Sequence, residues 1–197
     1  LMLRRAAASQ PVLRADVLRI AFALVTTVTS MTAAAADACP TLLDRSIPGL
    51  LDGKPRSLCE YSGRVLLVVN TASRCGYTGQ YAGLEKLQDS YGKRGLTVLG
   101  FPSNDFGNQE PGSDKDIAEF CSMTYGVKFP MFSKTSVKGA QRHPLYADLA
   151  KASGSEPAWN FHKYLIGRDG RTVTAFPSNV APDSNALLRE IEAALSR

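Results

Sequence analysis

The chain of 197 residues is 44% hydrophobic and carries a formal net charge of +5 at pH 7. Residues 1–36 contain four Arg and one Asp, so +3 of that charge lies there and about +2 remains for residues 37–197. That remainder has the usual length of one domain with a proper core. It has no cluster of Lys and Arg interleaved with aromatic residues, which argues against nucleic acid as a partner.

The N-terminal segment, residues 1–36, is predicted to be a secretory signal peptide. Four arginines precede a short apolar run, Ile20–Met31, and an A-x-A pattern follows it, so we expect cleavage after Ala36. A spanning helix needs about 20 apolar residues, so this run is too short for a stable membrane anchor. A lipoprotein is the weaker alternative, because no large aliphatic residue stands three positions before Cys39. We therefore expect residues 37–197 to be exported, to the periplasm of a bacterium.

The first half of this domain predicts a hairpin followed by a βαβ unit. The stretch Leu50–Tyr61 contains a D-G turn signal between short apolar pieces, which favours a hairpin. Arg64–Asn70 is a β-branched apolar run typical of a strand buried on both faces. A helix is predicted from Thr78 to Tyr91 and a second strand over Leu96–Phe101. Two strands joined in this way should be parallel.

The second half predicts two helices and a second hairpin. A helix should begin at Ser113, which Asp116 helps to cap, and end at Gly126. A less regular, Lys-rich stretch follows. Two strands, Lys163–Gly167 and Thr172–Phe176, then flank a D-G turn, and a final helix covers 185–196. A βαβ half before a ββα half is the order of the thioredoxin fold. We therefore predict an α/β thioredoxin fold, with a central mixed sheet flanked by helices, an N-terminal hairpin and an extra helix.

Cys75 stands just after a buried strand and just before a predicted helix. This position exposes the sulfur at the sheet edge where ligands bind in open α/β folds, and it favours the reactive thiolate. A C-x-x-C redox pair would need a second thiol where Thr78 stands. A lone cysteine is more often a small buried hydrophobe. Its neighbours Arg74, Gly76 and Thr78 are poor core residues, however, which favours the functional interpretation.

Four stretches in order carry a family resemblance: "LLVVNTASRCGYT", "LGFPSNDFGNQEPG", "EFCSMTYGVKFP" and "WNFHKYLIGRDG". Together they resemble the glutathione peroxidase family in its cysteine form, from about residue 42 to the C-terminus. The resemblance implies a thioredoxin fold and an enzyme that reduces hydrogen peroxide and organic hydroperoxides without a cofactor. It also implies that Cys75 is the peroxidatic nucleophile and that Gln109, Trp159 and Asn160 complete a catalytic tetrad.

These residue types suit the chemistry. Splitting an O–O bond needs a thiolate, a proton for the leaving oxygen, and donors where negative charge develops. Gln109 and Asn160 each carry two amide donors and Trp159 carries an indole N–H, all without net charge. Taken singly, these side chains are more typical of a loop amide, a turn former and a core aromatic. Their occurrence together in the four stretches favours the catalytic interpretation.

Cys121 is the candidate partner of Cys75. The resemblance to two-cysteine members implies that Cys121 is the resolving thiol, which attacks the sulfenic acid on Cys75 and closes a protective disulfide. A thioredoxin-like protein would reopen it, and glutathione is the less favoured reductant. A disulfide needs Cα atoms about 4.4 to 6.8 Å apart, so we expect the helix around Cys121 to unwind in part, given its short length, its weak cap and Gly126. The alternative is an inert helix cysteine.

Cys39 and Cys59 remain. Four cysteines allow three pairings, and sequence alone does not choose among them. Because Cys39 and Cys59 flank the first hairpin of an exported domain, we expect them to form a structural disulfide, which would contribute about 3 kcal/mol.

Two departures from the family pattern bear on function. Ser103 and Asp105 stand where many relatives read "FPCNQF", so a third cysteine is absent and cannot resolve Cys75. The stretch between Lys138 and Trp159 lacks the insertion that resembles the assembly loop of tetrameric members. Its shortness favours a monomer whose open site admits bulky lipid hydroperoxides.

Three other functions are weaker or remain open. A general thiol-disulfide oxidoreductase would need the C-x-x-C pair that Thr78 removes. A copper carrier would need two close thiols and a histidine, and neither His143 nor His162 lies near such a pair, so we predict no metal site. A redox sensor that passes its disulfide to another protein uses the same cysteines and stays open as the alternative.

Overall fold

The computed structural model describes residues 39–197. The predicted signal peptide, residues 1–36, lies outside the described residues. Within residues 39–197, no helix has both the length and the apolar character needed to cross a bilayer.

An antiparallel hairpin precedes the main sheet. Its strands are β1 (Ser46–Pro48) and β2 (Pro55–Ser57), and the loop between them contains Asp52 and Gly53. Gly53 has a φ of +62°, a backbone conformation that glycine adopts without strain. The hairpin predicted from the D-G signal is therefore confirmed, although its first strand lies before the stretch from which it was predicted.

The central sheet has four strands: β3 (Val65–Thr71), β4 (Leu96–Pro102), β5 (Lys163–Ile166) and β6 (Val173–Phe176). Their order is β4-β3-β5-β6. β3 and β4 are parallel, whereas β5 is antiparallel to β3 and β6 is antiparallel to β5, so the sheet is mixed as predicted. Every residue of β3 and β4 is buried, as expected for strands covered on both faces.

Four α-helices of the described chain flank the sheet: α1 (Gln80–Tyr91), α2 (Asp114–Tyr125), α3 (Pro144–Ser153) and α4 (Asn185–Leu195). The bounds of α1, α2 and α4 lie within two residues of those predicted. The element order confirms the thioredoxin fold, with the β1–β2 hairpin and one extra helix as additions.

Helix α3 corrects the prediction that the Lys-rich stretch before β5 is irregular. Pro144 occupies the first helical turn, where its fixed φ fits and its missing N–H costs nothing. The Nδ1 atom of His143 accepts the backbone N–H of Leu145 at 3.1 Å and caps the helix. Leu145, Tyr146 and Leu149 are buried at helical spacing. These signals were present in the sequence, but the polar residues around them concealed the pattern.

The apolar core has two layers, one on each face of the sheet. Val65, Leu67 and Val69 of β3 pack in the layer that contains buried residues of α1 and α4, whereas Leu66 and Val68 pack in the layer that contains those of α3. This arrangement covers both faces of the sheet. The carboxyl ends of the parallel strands are therefore the edge at which a ligand is expected to bind.

Residues 130–132 lie along the outer side of β4. The backbone N–H of Gly100 donates to the carbonyl of Pro130, and the Gly100 carbonyl accepts the N–H of Phe132, both at 2.9 Å. Phe132 also forms an antiparallel bridge with Gly49, next to the hairpin. The segment 130–132 thus connects the hairpin to the sheet by backbone hydrogen bonds.

Candidate active site

Cys75 lies in a turn between β3 and α1, and its side chain is half-buried. Because β3 ends at Thr71 and α1 begins at Gln80, Cys75 lies five residues before the first helical residue, farther than the sequence indicated. Its Sγ accepts the backbone N–H of Tyr77 at 3.4 Å. A turn amide, rather than the helix itself, is therefore the polar group beside the sulfur.

Thr78 closes the turn that carries Cys75. Its Oγ1 accepts the backbone N–H of Cys75 at 2.9 Å and donates to the carbonyl of Ala72 at 2.9 Å. Thr78 is only 7% exposed, which corrects the expectation that it is a poor core neighbour. A hydroxyl therefore serves as a structural link at the position where a C-x-x-C protein has its second thiol.

Gln109 lies in the loop after β4 and is tied to the turn that carries Cys75. Its backbone carbonyl accepts the N–H of Arg74 at 3.1 Å. The loop is shaped by Gly107 and Asn108, whose φ angles are +65° and +52°. This hydrogen bond fixes the position of Gln109 relative to Arg74, the residue directly before Cys75.

Asn160 is fully buried just before β5, and its amide reaches the same loop. Asn160 Nδ2 donates to Gln109 Oε1 at 3.0 Å and lies 3.5 Å from the carbonyl of Phe106. Trp159 is 39% exposed, and its ring lies 5.8 Å from that of Phe106, centroid to centroid. The Trp159 carbonyl accepts the Nδ2 N–H of Asn70, a β3 residue, at 3.1 Å. Hydrogen bonds to Asn70 of β3 and to Arg74 thus hold the three predicted partners at the carboxyl end of β3, beside the turn with Cys75.

Glu110 is a further buried acid near the site, and no sequence pattern indicated it. It is 1% exposed, and burial raises the pKa of its carboxyl group, although Ser73, Lys134 and Arg74 oppose the shift. Its Oε2 has no hydrogen-bond partner among the described residues. A cavity of about 160 Å³ lies between the backbone stretch 73–74 and α2, with Glu110 in its wall.

Cys121 lies in α2 and is 2% exposed. Burial raises the pKa of its thiol to about 11, so at neutral pH this residue is a protonated thiol. The Tyr81 hydroxyl is close enough to Cys121 for each group to shift the pKa of the other, yet no hydrogen bond of ordinary geometry joins them. Cys121 belongs to the apolar cluster against which Cys75 packs, and it lines a cavity of about 300 Å³ with Val127 and Phe129.

Cys39 and Cys59 are joined in a disulfide, with their Cα atoms 5.4 Å apart. One ligand atom from each of Cys39, Asp44 and Cys59 lies within 4.8 Å of the others. Since the two sulfurs are bonded to each other, neither is the thiolate that a metal would need. Within residues 39–197, Cys75 and Cys121 are the cysteines outside a disulfide.

The two histidines have structural surroundings. His143 caps α3, as described above. His162 is buried between Asn160 and β5, and burial lowers its pKa to about 4, so its ring is neutral at pH 7. Neither histidine belongs to a group of potential metal ligands among the described residues.

A thioredoxin-like sheet with a half-buried free thiol and neutral polar side chains near its carboxyl edge is an arrangement typical of thiol-dependent oxidoreductases. The family model described as glutathione peroxidase matches residues 47–150. The chain belongs to the glutathione peroxidase family, and it is a peroxidase.

Relatives and solved structures agree with this assignment. The hydroperoxy fatty acid reductase gpx1 of Synechocystis sp. is 48% identical over 146 residues, covering 69% of this chain and 86% of that protein. The thioredoxin/glutathione peroxidase BtuE of Escherichia coli K12 is 40% identical over 171 residues, covering 75% and 93%. A crystal structure of Trgpx in apo form has a TM-score of 0.64 at 34% identity, covering 80% of this chain and 97% of that one.

Proposed function

We propose that this thiol peroxidase reduces hydrogen peroxide and organic hydroperoxides through Cys75. The observation that carries the proposal is the turn after β3. There the half-buried free thiol of Cys75 accepts a backbone N–H. The preceding residue, Arg74, donates its backbone N–H to the carbonyl of Gln109, and the side chain of Gln109 accepts a hydrogen bond from the side-chain amide of Asn160. A nucleophile and polar groups suited to a developing negative charge therefore occur within one connected unit.

In the first step, the Cys75 thiolate attacks the terminal oxygen of the hydroperoxide. An S–O bond forms, the O–O bond breaks, and Cys75 becomes a sulfenic acid while the peroxide is reduced by two electrons. The departing alkoxide or hydroxide takes a proton and leaves as alcohol or water. Gln109, Trp159 and Asn160 are the donors that we assign to this charge, since each is neutral and lies at the carboxyl end of β3.

In the second step, Cys121 resolves the sulfenic acid. Its sulfur attacks that of Cys75, the S–O bond breaks, and the hydroxide that leaves is protonated to water. Packing of both cysteines with one apolar cluster supports this pairing. Burial that raises the pKa of Cys121 opposes ionisation in the closed state, so α2 must open before attack becomes fast.

The two ends of α2 differ in how firmly they are capped, and this indicates where the opening should begin. The sequence suggested a weak cap, but Ser113 and Asp116 form a complete capping box, with hydrogen bonds in both directions. Cys121 lies near the other end, where its carbonyl accepts the N–H groups of Gly126 and Val127. We therefore propose that the C-terminal turn of α2 unwinds while the N-terminal turn stays folded.

A thioredoxin-like dithiol is the reductant that we propose, with glutathione less favoured. The E. coli relative is named for both reductants, and the Synechocystis relative is named for hydroperoxy fatty acids. Trp159, a large exposed hydrophobic side chain beside Phe106, offers an apolar contact for a lipid chain. We also propose that the enzyme acts as an exported monomer.

The test is peptide mass spectrometry on protein reduced selectively at Cys75 and Cys121, before and after one equivalent of an organic hydroperoxide. A new Cys75–Cys121 link is expected in the wild type, and Cys75→Ser should abolish it. Cys121→Ser should stop at sulfenic acid on Cys75. Absence of oxidation at Cys75 would refute the proposal. Many turnovers with a thioredoxin system would distinguish a peroxidase from a sensor, which would reduce peroxide only stoichiometrically.

A further inference from the structure

A fully buried lysine stands beside the candidate site. Lys163 is the first residue of β5, where it pairs with Val69 of β3 and Phe176 of β6, and it is 0% exposed. None of the salt bridges found within residues 39–197 includes it. Because burying an amino group without a carboxylate is unfavourable, an apolar residue would be the better choice for stability alone.

The amino group of Lys163 has one hydrogen bond in the described chain. Its Nζ donates to the backbone carbonyl of Phe161 at 2.7 Å. Burial lowers the pKa of Lys163 to about 7, and both the ammonium and the neutral amine carry N–H donors. The contact with Phe161 is therefore available in either protonation state.

Phe161 has a backbone conformation that needs support. Its φ is +63°, and among the described residues only Asn108 shares a positive φ without being glycine. A bulky aromatic residue is strained in this left-handed region. Besides the bond from Lys163, the Phe161 N–H donates to the carbonyl of Asn70 at 2.6 Å, and Asn70 Nδ2 donates to the Trp159 carbonyl at 3.1 Å. The two bonds with Asn70 hold residues 159–161 against β3, and the bond from Lys163 holds Phe161 to the start of β5.

The held segment contains Asn160, whose amide reaches Gln109 at 3.0 Å. The bond from Lys163 holds the Phe161 carbonyl, which lies on the side of Phe161 away from Asn160. Without that bond the strained Phe161 could relax to a negative φ, which would turn the peptide between Asn160 and Phe161 and so direct the Asn160 side chain away from Gln109. We propose that Lys163 is a positioning residue, which fixes the Phe161 carbonyl and so keeps Asn160 aligned with Gln109 for the peroxide step. This inference rests on the proposed function, because it uses the role assigned there to Asn160.

The experiment compares Lys163→Met with a matched control, Leu165→Met. Lys163→Met keeps most of the side-chain length and loses the N–H donors. Leu165 lies two residues further along β5, in the cluster that also contains Val69, the strand partner of Lys163, and Leu-to-Met exchange conserves volume. Three quantities are measured: the single-turnover rate of Cys75 oxidation by an organic hydroperoxide, thermal stability, and Trp159 fluorescence. The chain has one tryptophan, so this emission reports the positioned segment alone.

Lys163→Met should oxidise Cys75 at least tenfold more slowly and should shift the Trp159 emission, while its stability stays equal or rises. Leu165→Met should match the wild type in rate and emission. Lys163→Gln, which retains a donor on a shorter chain, should have a rate between those of the wild type and Lys163→Met. Loss of stability without a change in rate and emission would assign Lys163 a structural role and overturn the inference.

Lys163→Leu provides a second variant without a donor. If either Lys163→Met or Lys163→Leu folds and has the wild-type rate and emission, the inference is overturned. Failure of both to fold would also overturn it, since Lys163 would then be required for the fold itself. If wild-type Cys75 did not react with peroxide, the proposed function would fail, whereas the emission of the variants would still test the positioning of residues 159–161.

Discussion

The C-terminal cap of α2 offers a direct test of how Cys121 reaches Cys75. Gly126 ends α2 with a φ of +62°, and a Cβ added there would meet no atom within 4 Å. Gly126→Ala therefore adds backbone strain without a clash, and an L-residue in this conformation costs about 1 kcal/mol. The strain is present when α2 is closed and is relieved when its last turn unwinds. We expect Gly126→Ala to form the Cys75–Cys121 disulfide about fivefold faster, because 1.36 kcal/mol corresponds to a tenfold change in rate.

Gly154→Ala is the matched control. Gly154 caps α3 with a φ of +69°, and a Cβ there would also meet nothing within 4 Å. Both variants should lose about 1 kcal/mol of unfolding free energy, but only Gly126→Ala should speed disulfide formation. The assay is rapid acid quench after one equivalent of hydroperoxide, followed by mass spectrometry of the Cys121 peptide. Equal rates in the two variants, or slower resolution in Gly126→Ala, would refute the idea that α2 opens from this end.

Asn160→Ala should lower the rate of Cys75 oxidation about 100-fold, as expected for loss of one donor at a developing charge, and stopped-flow kinetics with the isosteric Asn160→Asp as comparison would measure it. Asp116→Ala removes the capping box at the closed end of α2 and should cost about 1 kcal/mol in chemical denaturation without speeding disulfide formation. Cys121 predicts a pH dependence: burial raises its pKa from an ordinary value near 9 to about 11, so the folded state binds its proton more tightly than the unfolded state. This contribution is fully present below pH 9 and is lost as the pH rises to 11, by at most about 1.4 kcal/mol per pH unit. The unfolding free energy of Cys121→Ala should therefore decline less than that of the wild type over this interval.

The sheet and most helices could be predicted because their signals are local. The first five residues of β3 are an unbroken apolar run, and the D-G turns mark both hairpins. Helix α3 was not predicted because its capping histidine and first-turn proline stand among polar residues, where these helix-start signals are easily overlooked. The position of Cys75 relative to α1 was also misjudged, since Thr78 looked like a helix start but instead closes a turn through its hydroxyl.

Cys75 could be identified from its position after a buried strand, whereas Gln109, Trp159 and Asn160 could be identified only through family resemblance. Gln109 and Asn160 are 51 positions apart in sequence, and their contact depends on how the loop after β4 meets the segment before β5. Lys163 gave no signal, because a lysine at the start of a strand ordinarily faces solvent. Its burial follows from the layer that covers its face of the sheet, since Leu165, two residues along β5 on the same face, packs with buried residues of α1 and α4.

The pairing of residues 130–132 with β4 also affects how copies of this protein meet in concentrated solution. An uncovered outer strand presents free backbone groups that can template the addition of another chain, and this is a common origin of aggregation. Here that side of the sheet is occupied at Gly100 by the protein's own backbone. On the other side, β6 has only four residues and runs directly into Pro177, which has no N–H to donate. Residues 130–132 and Pro177 thus limit the addition of another strand at the two sides of the sheet, and no second copy of the protein is needed to cover them.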